Sequence, residues 1–317
     1  MRPGSGHGSS NARAVHSAEP SHPVSPWHSL IQIGISLARD AKLLVSPKGV
    51  HGVALECGWI GLQLAIYPWG ILRETHDYVD RYGVEDLPPG RRALVMGDVE
   101  AAGTPILLVH GMFENRAIFE VLKRQLLRRG FGRVISINYS PLTNDIRAAA
   151  NELSAEIEAI VALTGYERIH VIGHSLGGLI ARYYVQRLGG DERIHTLVTL
   201  GTPHHGSEWA RMVPIQLCRQ LTPGSDLYTE LRESIPRPNT RFVAYWSDFD
   251  QLIVPHTHAR IDHPDLSARN VLVHGNGHIA LPINGRVAHE IAALLSQLDA
   301  DGTTLRAGIT TLPPRTS

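Results

Sequence analysis

Ser175 is the residue with the clearest capacity for chemistry, and it stands in the pentapeptide Gly173-His174-Ser175-Leu176-Gly177. An apolar run typical of a strand precedes this pentapeptide, and a helical pattern follows it at once. A strand, a tight turn and a helix in that order form a nucleophile elbow, in which glycines avoid Cβ clashes and the serine Oγ is exposed. The pattern therefore predicts a nucleophilic serine, although a glycine-rich turn with an ordinary serine would have the same sequence.

A serine hydroxyl attacks well only when a base takes its proton and a carboxylate orients that base. In hydrolases built on such an elbow, the acid and then the histidine follow the serine along the chain. His278 is the predicted base because it lies in a glycine-containing loop after the last strand, and His274 is the alternative. Asp250 is the predicted acid because an apolar pair and a proline follow it, and Asp248 is the alternative, which could cap the turn instead.

Acyl transfer also needs two N–H donors that stabilise the negative oxygen of the tetrahedral intermediate. The first predicted donor is the backbone N–H of Leu176, which directly follows the serine at a helix start. The second is the backbone N–H of Met112, because Gly111 follows an apolar strand and permits the turn that points this N–H inward. Met112 and Leu176 are therefore the predicted oxyanion hole.

Strand and helix signals alternate regularly in the rest of the chain. The predicted strands, besides the strand before Ser175, are residues 93–97, 105–109, 133–138, 196–200, 241–246 and 270–273. The predicted helices, besides the helix after Ser175, are residues 118–127, 145–163 and 285–298. Apolar strands that alternate with helices imply an α/β fold with a mostly parallel sheet and helices on both faces.

Together these motifs resemble those of a bacterial triacylglycerol lipase or esterase of the α/β-hydrolase superfamily, over about residues 93–298. The segments that carry the resemblance are Val109-His110-Gly111-Met112, Gly173-His174-Ser175-Leu176-Gly177-Gly178, Leu200-Gly201-Thr202-Pro203-His204-His205-Gly206-Ser207, Leu221-Thr222-Pro223-Gly224-Ser225-Asp226-Leu227, the Asp250 loop and Gly277-His278. The resemblance implies an α/β-hydrolase fold with Ser175, Asp250 and His278 as the catalytic triad. It also implies that Met112 and Leu176 donate to the oxyanion.

Three segments flank this predicted catalytic domain of residues 93–298. Residues 1–26 are rich in Gly, Ser, Pro and His and are predicted to be disordered, and residues 299–317 are predicted to be a C-terminal tail. Residues 27–92 are predicted to be an apolar helical extension that ends in a charged connector. Within it, the uncharged part of residues 53–72, Cys57 to Leu72, falls short of the roughly 20 apolar residues of a membrane span, and Pro68 interrupts it. Packing on the catalytic domain is favoured there, with peripheral membrane contact as the second hypothesis.

The composition of the chain limits the classes of partner and cofactor that are expected. The 30 basic residues balance the 30 acidic ones, so a nucleic-acid partner is not expected. Cys57 and Cys218 lack metal-ligand spacing, and no further ligand stands at suitable spacing from His204 and His205, so neither a metal nor a cofactor is expected. The first residues lack the apolar core of a signal peptide, which predicts a cytoplasmic or membrane-associated location.

The predicted function is hydrolysis of carboxylic esters with apolar acyl chains through an acyl-enzyme intermediate. A small-molecule ester or a lipid is the expected substrate. The apolar segments expected to contact its acyl chain are residues 30–44 and 53–72 together with Trp209, Met212, Val213, Ile215 and Leu217. An acyltransferase or thioesterase with the same triad is the alternative, because pocket shape decides the acyl acceptor. A non-catalytic binding protein on the same scaffold is a third hypothesis, and it predicts a disrupted triad.

Overall fold

A computed structural model describes residues 103–112, 114, 116–138, 144–296 and 308–311. Seven strands form one sheet in the order β2-β1-β3-β4-β5-β6-β7, and all neighbouring strands run parallel. The strands are β1 (Ile106–Val109), β2 (Val134–Ile137), β3 (Ile169–His174), β4 (Ile194–Leu200), β5 (Arg241–Ser247), β6 (Arg269–Val273) and β7 (Gly308–Thr311). The predicted parallel sheet is thereby confirmed.

Helices cover both faces of this sheet. They are α1 (Glu120–Arg128), α2 (Ile146–Thr164), α3 (Leu176–Arg187), α4 (Gln216–Gln220), α5 (Asp226–Glu230) and α6 (Gly285–Leu295). Strand β1 is buried throughout: Leu107 and Val109 join the apolar cluster beneath α2 and α3, whereas Ile106 and Leu108 join the cluster beneath α1 and α6. Because successive side chains of a strand alternate between the faces, a strand packed on both sides must be apolar at every position.

Local sequence signals fix the ends of two long helices. The Asp145 side chain accepts a hydrogen bond from the backbone N–H of Arg147 and so caps the start of α2, and Gly165 ends that helix in the left-handed conformation at φ 74°. The Asn284 side chain caps α6 by accepting from two backbone N–H groups. Such caps satisfy helix-end groups that have no partner within the helix.

Strand order brings the candidate functional residues to one edge of the sheet. Strand β1 lies between β2 and β3, so the chain reverses its direction of strand addition there. Parallel strands all point their carboxyl ends to the same edge, and crevices at such a reversal are where open α/β sheets bind ligands. The loops that follow β1, β3, β4, β5 and β6 therefore meet above this edge.

Some predicted segments fall outside the described residues, namely residues 1–26, the extension 27–92 and the strand 93–97. The predicted tail 299–317 contains β7, which pairs with β6 from Arg269 opposite Gly308 onward and was not predicted from the sequence. Helices α4 and α5 were not predicted either. Within the described part of the chain, no helix has the length and apolar character needed to cross a membrane.

Candidate active site

Ser175 occupies a strained turn between β3 and α3. Its backbone has φ 50° and ψ −120°, a combination that non-glycine residues rarely adopt and that costs about 1–3 kcal/mol. The turn is crowded, since a Cβ on Gly177 would lie 2.2 Å from the carbonyl oxygen of Val109, and one on Gly173 would lie 2.4 Å from the backbone of Gly178. The glycines around Ser175 are thus required by close backbone contacts. The turn has the geometry of the predicted elbow.

Asp250 and His278 form a buried pair on the loops that follow β5 and β6. The Asp250 Oδ2 atom lies 2.8 Å from the Nδ1 atom of His278, and the two side chains are 0% and 3% exposed. The other carboxylate oxygen of Asp250 accepts the backbone N–H groups of Leu252 and Ile253 at 3.0 and 3.1 Å. An N–H on Nδ1 that donates to a fixed carboxylate leaves Nε2 of a neutral imidazole as the basic nitrogen.

The two alternative residues pair with each other instead. The Asp248 Oδ2 atom lies 2.6 Å from Nδ1 of His274, and the same carboxylate accepts the backbone N–H of Gly275 at 2.8 Å. These side chains are 36% and 46% exposed. Asp248 therefore caps the turn after β6 while Asp250 holds His278.

The elements that carry the predicted residues are in close contact. A Cβ on Gly201, just after β4, would lie 3.0 Å from the Asp250 carboxylate and 3.1 Å from the His278 ring, and Gly201 itself has φ 55°. The rings of His174 and His278 lie with centroids 4.8 Å apart, so the residue before Ser175 contacts the predicted base. The structure thus brings the elbow and the Asp250–His278 pair to one place at the sheet edge.

The loop after β1 lies directly against the elbow. A Cβ on Gly111 would stand 2.9 Å from the Cβ of Ser175, so any side chain there would collide with the serine. Met112 packs partly buried against the core beneath α2 and α3, and Leu176 is the first residue of α3. These are the places predicted for the oxyanion donors.

Two polar residues in this region, Glu114 and His174, were not predicted from the sequence as part of the site. Glu114 is buried and its Oε2 atom accepts the Gly111 N–H at 2.7 Å, and the same oxygen lies 2.9 Å from Nδ1 of His174. Burial raises the pKa of Glu114, but the charge and hydrogen bond of His174, the charge of His278 and the Gly111 N–H together lower it, and the net shift is downward. The only feature of the sequence that points to this contact is the acidic residue three positions after Gly111.

His204 and His205 have other partners. The Nε2 atom of His204 lies 2.9 Å from the Thr199 hydroxyl, and Nε2 of His205 lies 3.9 Å from an Asp262 oxygen. Burial lowers the pKa of His205 to about 4, with the Arg182 charge acting in the same direction. No group of three or more metal-ligating side chains is found among the residues that the structure describes.

Comparison with known proteins decides the fold. A family model described as the alpha/beta hydrolase fold matches residues 104–221. Among solved structures, lipase B of Aspergillus fumigatus superimposes with a TM-score of 0.53 at 16% identity, over 64% of this chain and 56% of that one. The protein has the α/β-hydrolase fold. Curated relatives also confirm the predicted resemblance to bacterial lipases and esterases.

Two triacylglycerol lipases illustrate how far the sequence similarity of this chain reaches. The enzyme of Burkholderia plantarii is 32% identical over 129 residues, which cover 38% of this chain and 36% of that protein. The enzyme of Pseudomonas fragi is 34% identical over 111 residues, which cover 33% of this chain and 36% of that protein. The match thus spans about a third of the length of these relatives.

Proposed function

We propose that this α/β hydrolase is a serine esterase or lipase that cleaves carboxylic esters with apolar acyl chains. The observation that carries the proposal is a strained, elbow-borne Ser175 at the same sheet edge as the buried Asp250–His278 pair. An ordinary turn does not require a non-glycine residue at φ 50°, and backbone strain of this kind is concentrated at functional sites. The lipase names of the relatives agree with this chemistry.

In the acylation half of the proposed reaction, the Ser175 Oγ attacks the ester carbonyl while His278 Nε2 takes the hydroxyl proton. The carbonyl oxygen becomes negative and accepts hydrogen bonds from the N–H groups of Met112 and Leu176. Asp250 holds the ring orientation and stabilises the imidazolium that forms. Collapse of the intermediate breaks the ester C–O bond, and His278 returns its proton to the departing alcohol.

The deacylation half repeats these roles with water. His278 takes a proton from water as the water oxygen attacks the acyl carbonyl, and the same two N–H groups stabilise the second oxyanion. Breaking the bond to the Ser175 Oγ releases the carboxylic acid, and the proton on His278 returns to the serine. The serine and histidine are regenerated without a cofactor.

An apolar substrate is supported by the surface beside the Asp250 loop. Residues 208–212 form a 3₁₀ turn that is tied to this loop, since the Ser207 hydroxyl donates to the Leu252 carbonyl at 2.8 Å and the Glu208 N–H donates to the Val254 carbonyl at 2.9 Å. Large apolar side chains are exposed in this turn, just after it and on the Asp250 loop, namely Met212, Val213, Ile215 and Leu252. Exposed apolar side chains next to a candidate site are typical of sites that bind apolar ligands.

Hydrolysis of p-nitrophenyl esters of rising acyl length tests the proposal. The wild-type protein should hydrolyse them with kcat/KM increasing over short and medium chains, and Ser175→Ala should abolish the turnover. Asp248→Asn is the matched control, because it alters a carboxylate two residues from Asp250 without touching the buried pair. Absence of Ser175-dependent hydrolysis for every chain length would refute the proposal.

The acyl donor and acceptor separate the proposed hydrolase from an acyltransferase or thioesterase. All three share the acyl-enzyme step. A thioesterase differs from an esterase in the acyl donor, which is a thioester, whereas an acyltransferase differs in the acceptor, which is an alcohol instead of water. Incubation with acyl-CoA and with an ester plus an added alcohol, followed by product analysis, distinguishes them. Free acid from esters as the main product agrees with the hydrolase, and acyl transfer to the alcohol in preference to water contradicts it.

A further inference from the structure

A second buried carboxylate–histidine contact lies at the loop after β1. Glu114 Oε2 and His174 Nδ1 are 2.9 Å apart, and their side chains are 8% and 0% exposed. Neither residue belongs to the predicted triad or oxyanion hole. Burying ionisable groups lowers stability unless each group is paired and hydrogen-bonded. The groups of this buried contact therefore need hydrogen-bond partners.

Hydrogen bonds connect this contact to three loops of the site. Glu114 Oε2 also accepts the backbone N–H of Gly111 at 2.7 Å, on the loop that lies against Ser175. On the other side of its ring, His174 Nε2 lies 3.1 Å from the backbone carbonyl oxygen of His278. The pair therefore spans from the loop after β1, through the elbow, to the loop that carries the predicted base.

Both hydrogen-bond partners of the His174 ring are acceptors. A carbonyl oxygen is only an acceptor, and an ionised carboxylate is also only an acceptor. The downward shift of the Glu114 pKa, in which the effects of His174, His278 and the Gly111 N–H outweigh burial, keeps this carboxyl ionised. The ring of His174 therefore lies between two acceptors, the Glu114 carboxylate at Nδ1 and the His278 carbonyl at Nε2.

We propose that Glu114 is a positioning residue, which acts through Gly111 and His174 to hold the predicted oxyanion loop and the base loop against Ser175. This inference rests on the proposed esterase function. Because Glu114 accepts the Gly111 N–H, it fixes the orientation of the peptide plane that precedes Gly111 and leaves Met112 as the next donor along the loop. Charge-assisted hydrogen bonds are short and directional, which suits this task.

A glutamine cannot replace Glu114 in this arrangement. Its amide oxygen can accept the Gly111 N–H, but it carries no negative charge and is a weaker acceptor than a carboxylate. The hydrogen bond between residue 114 and the His174 ring would therefore be weaker. The loops would be held less firmly, and poor placement of one oxyanion donor lowers kcat by roughly 100-fold.

A double-mutant cycle tests the proposal in the full-length protein, with Glu114→Gln, His174→Asn and the combined variant. We expect each single variant to lower kcat by about 100-fold with KM changed by less than about threefold, since the loss is in the transition state. The combined variant should lose no more than the worse single variant, because the two residues act as one unit. Glu120→Gln, on the exposed surface of α1, is the matched control and should keep wild-type kcat.

Nitrogen-15 NMR of the histidine side chains gives a readout that does not depend on turnover. The wild-type spectrum should show a hydrogen-bonded N–H at Nδ1 of His174, and Glu114→Gln should shift the signals of this nitrogen and of the Gly111 amide. Wild-type kcat in Glu114→Gln, or losses that multiply in the combined variant, would overturn the proposal while the proposed function stands. If the wild-type protein hydrolyses no ester, the proposed function fails, and unchanged His174 and Gly111 signals in Glu114→Gln then overturn the positioning role as well.

Discussion

Two aspartate–histidine pairs lie side by side at the ends of β5 and β6. Asp250–His278 has a 2.8 Å contact and is almost entirely buried, whereas Asp248–His274 has a 2.6 Å contact and is more than one-third exposed. The same two residue types, on the same two loops, therefore make contacts of similar length in very different surroundings. Contact length alone does not distinguish a functional pair from a surface pair.

Burial and the partners of each carboxylate make the difference. Asp250 accepts two backbone N–H groups in addition to the His278 ring, so its orientation is fixed in a site that excludes water. Electrostatic interactions are several times stronger in such a site than at the exposed position of Asp248. The exposed pair shapes a turn, and we propose that the buried pair does the chemistry.

The largest contrast is expected in catalysis. Asp250→Asn should lower kcat by about 10⁴-fold, which is the effect of the equivalent change in a Ser-His-Asp triad, because an amide favours the wrong tautomer of the histidine. Asp248→Asn should change kcat by less than about threefold. Steady-state assays on a p-nitrophenyl ester measure both, and a comparable loss in the two variants would eliminate the contrast between the pairs.

The two pairs should also differ in how much each contributes to the stability of the fold. Asp250→Ala leaves the N–H groups of Leu252, Ile253 and His278 without their acceptor, which should lower the free energy of unfolding by about 3–5 kcal/mol. Asp248→Ala should lower it by about 1 kcal/mol or less. Urea titrations followed by circular dichroism measure both losses, and equal losses would contradict the stabilising effect of burial.

His170 is a buried histidine that contacts no carboxylate among the residues that the structure describes, and it extends the comparison to pH. Burial in β3 lowers the pKa of His170 to about 3, and the nearby charges of His195, Arg241 and Arg168 act in the same direction. Between pH 6.5 and 3 the unfolded chain binds a proton here that the folded chain does not, so stability falls as the pH drops below 6.5. The contribution is about 1.4 kcal/mol per pH unit, or roughly 3 kcal/mol at pH 4.

Unfolding titrations between pH 4 and 7 test this effect with His170→Leu. The variant should lose part of the dependence on pH, whatever its stability at pH 7. An unchanged slope would mean that His170 takes up a proton in the folded state despite its surroundings.

The smallest expected effect is that of salt on the exposed pair. Charges in water are screened within about 10 Å at 0.1 M ionic strength, whereas buried pairs are screened much less. The stability lost in Asp248→Ala should therefore shrink when sodium chloride is raised from 0.05 to about 1 M. The loss in Asp250→Ala should stay nearly constant, and a parallel decrease in the two variants would contradict the difference in burial.

Much of the fold could be predicted from the sequence because its signals are local. The apolar runs of β1, β3 and β4 and the capped helix α2 follow directly from residue patterns, and the glycines around Ser175 mark the elbow. Strand β7 was missed because its short segment has no such pattern, and its partner is β6, far away in the sequence. Local patterns do not report distant pairing.

The candidate site was predictable only in part, for a different reason. The preference for Asp250 over Asp248 came from the apolar residues that follow Asp250, and this is a local signal of burial. Glu114 and His174 have no equivalent signal, because their contact joins residues 60 positions apart. A charged residue is expected at the surface by default, so its burial is visible only once the fold is known.

Covalent labelling of Ser175 is the most direct test of the central claim, which is that this serine is a nucleophile activated by the buried Asp250–His278 pair. A fluorophosphonate probe should add one phosphonyl group to the folded wild-type protein, with peptide mass spectrometry placing it on Ser175. Labelling should be lost in Ser175→Ala, slowed strongly in Asp250→Asn and unchanged in Asp248→Asn. A wild-type protein that stays unlabelled, or an adduct that forms equally fast in Asp250→Asn, would contradict the claim.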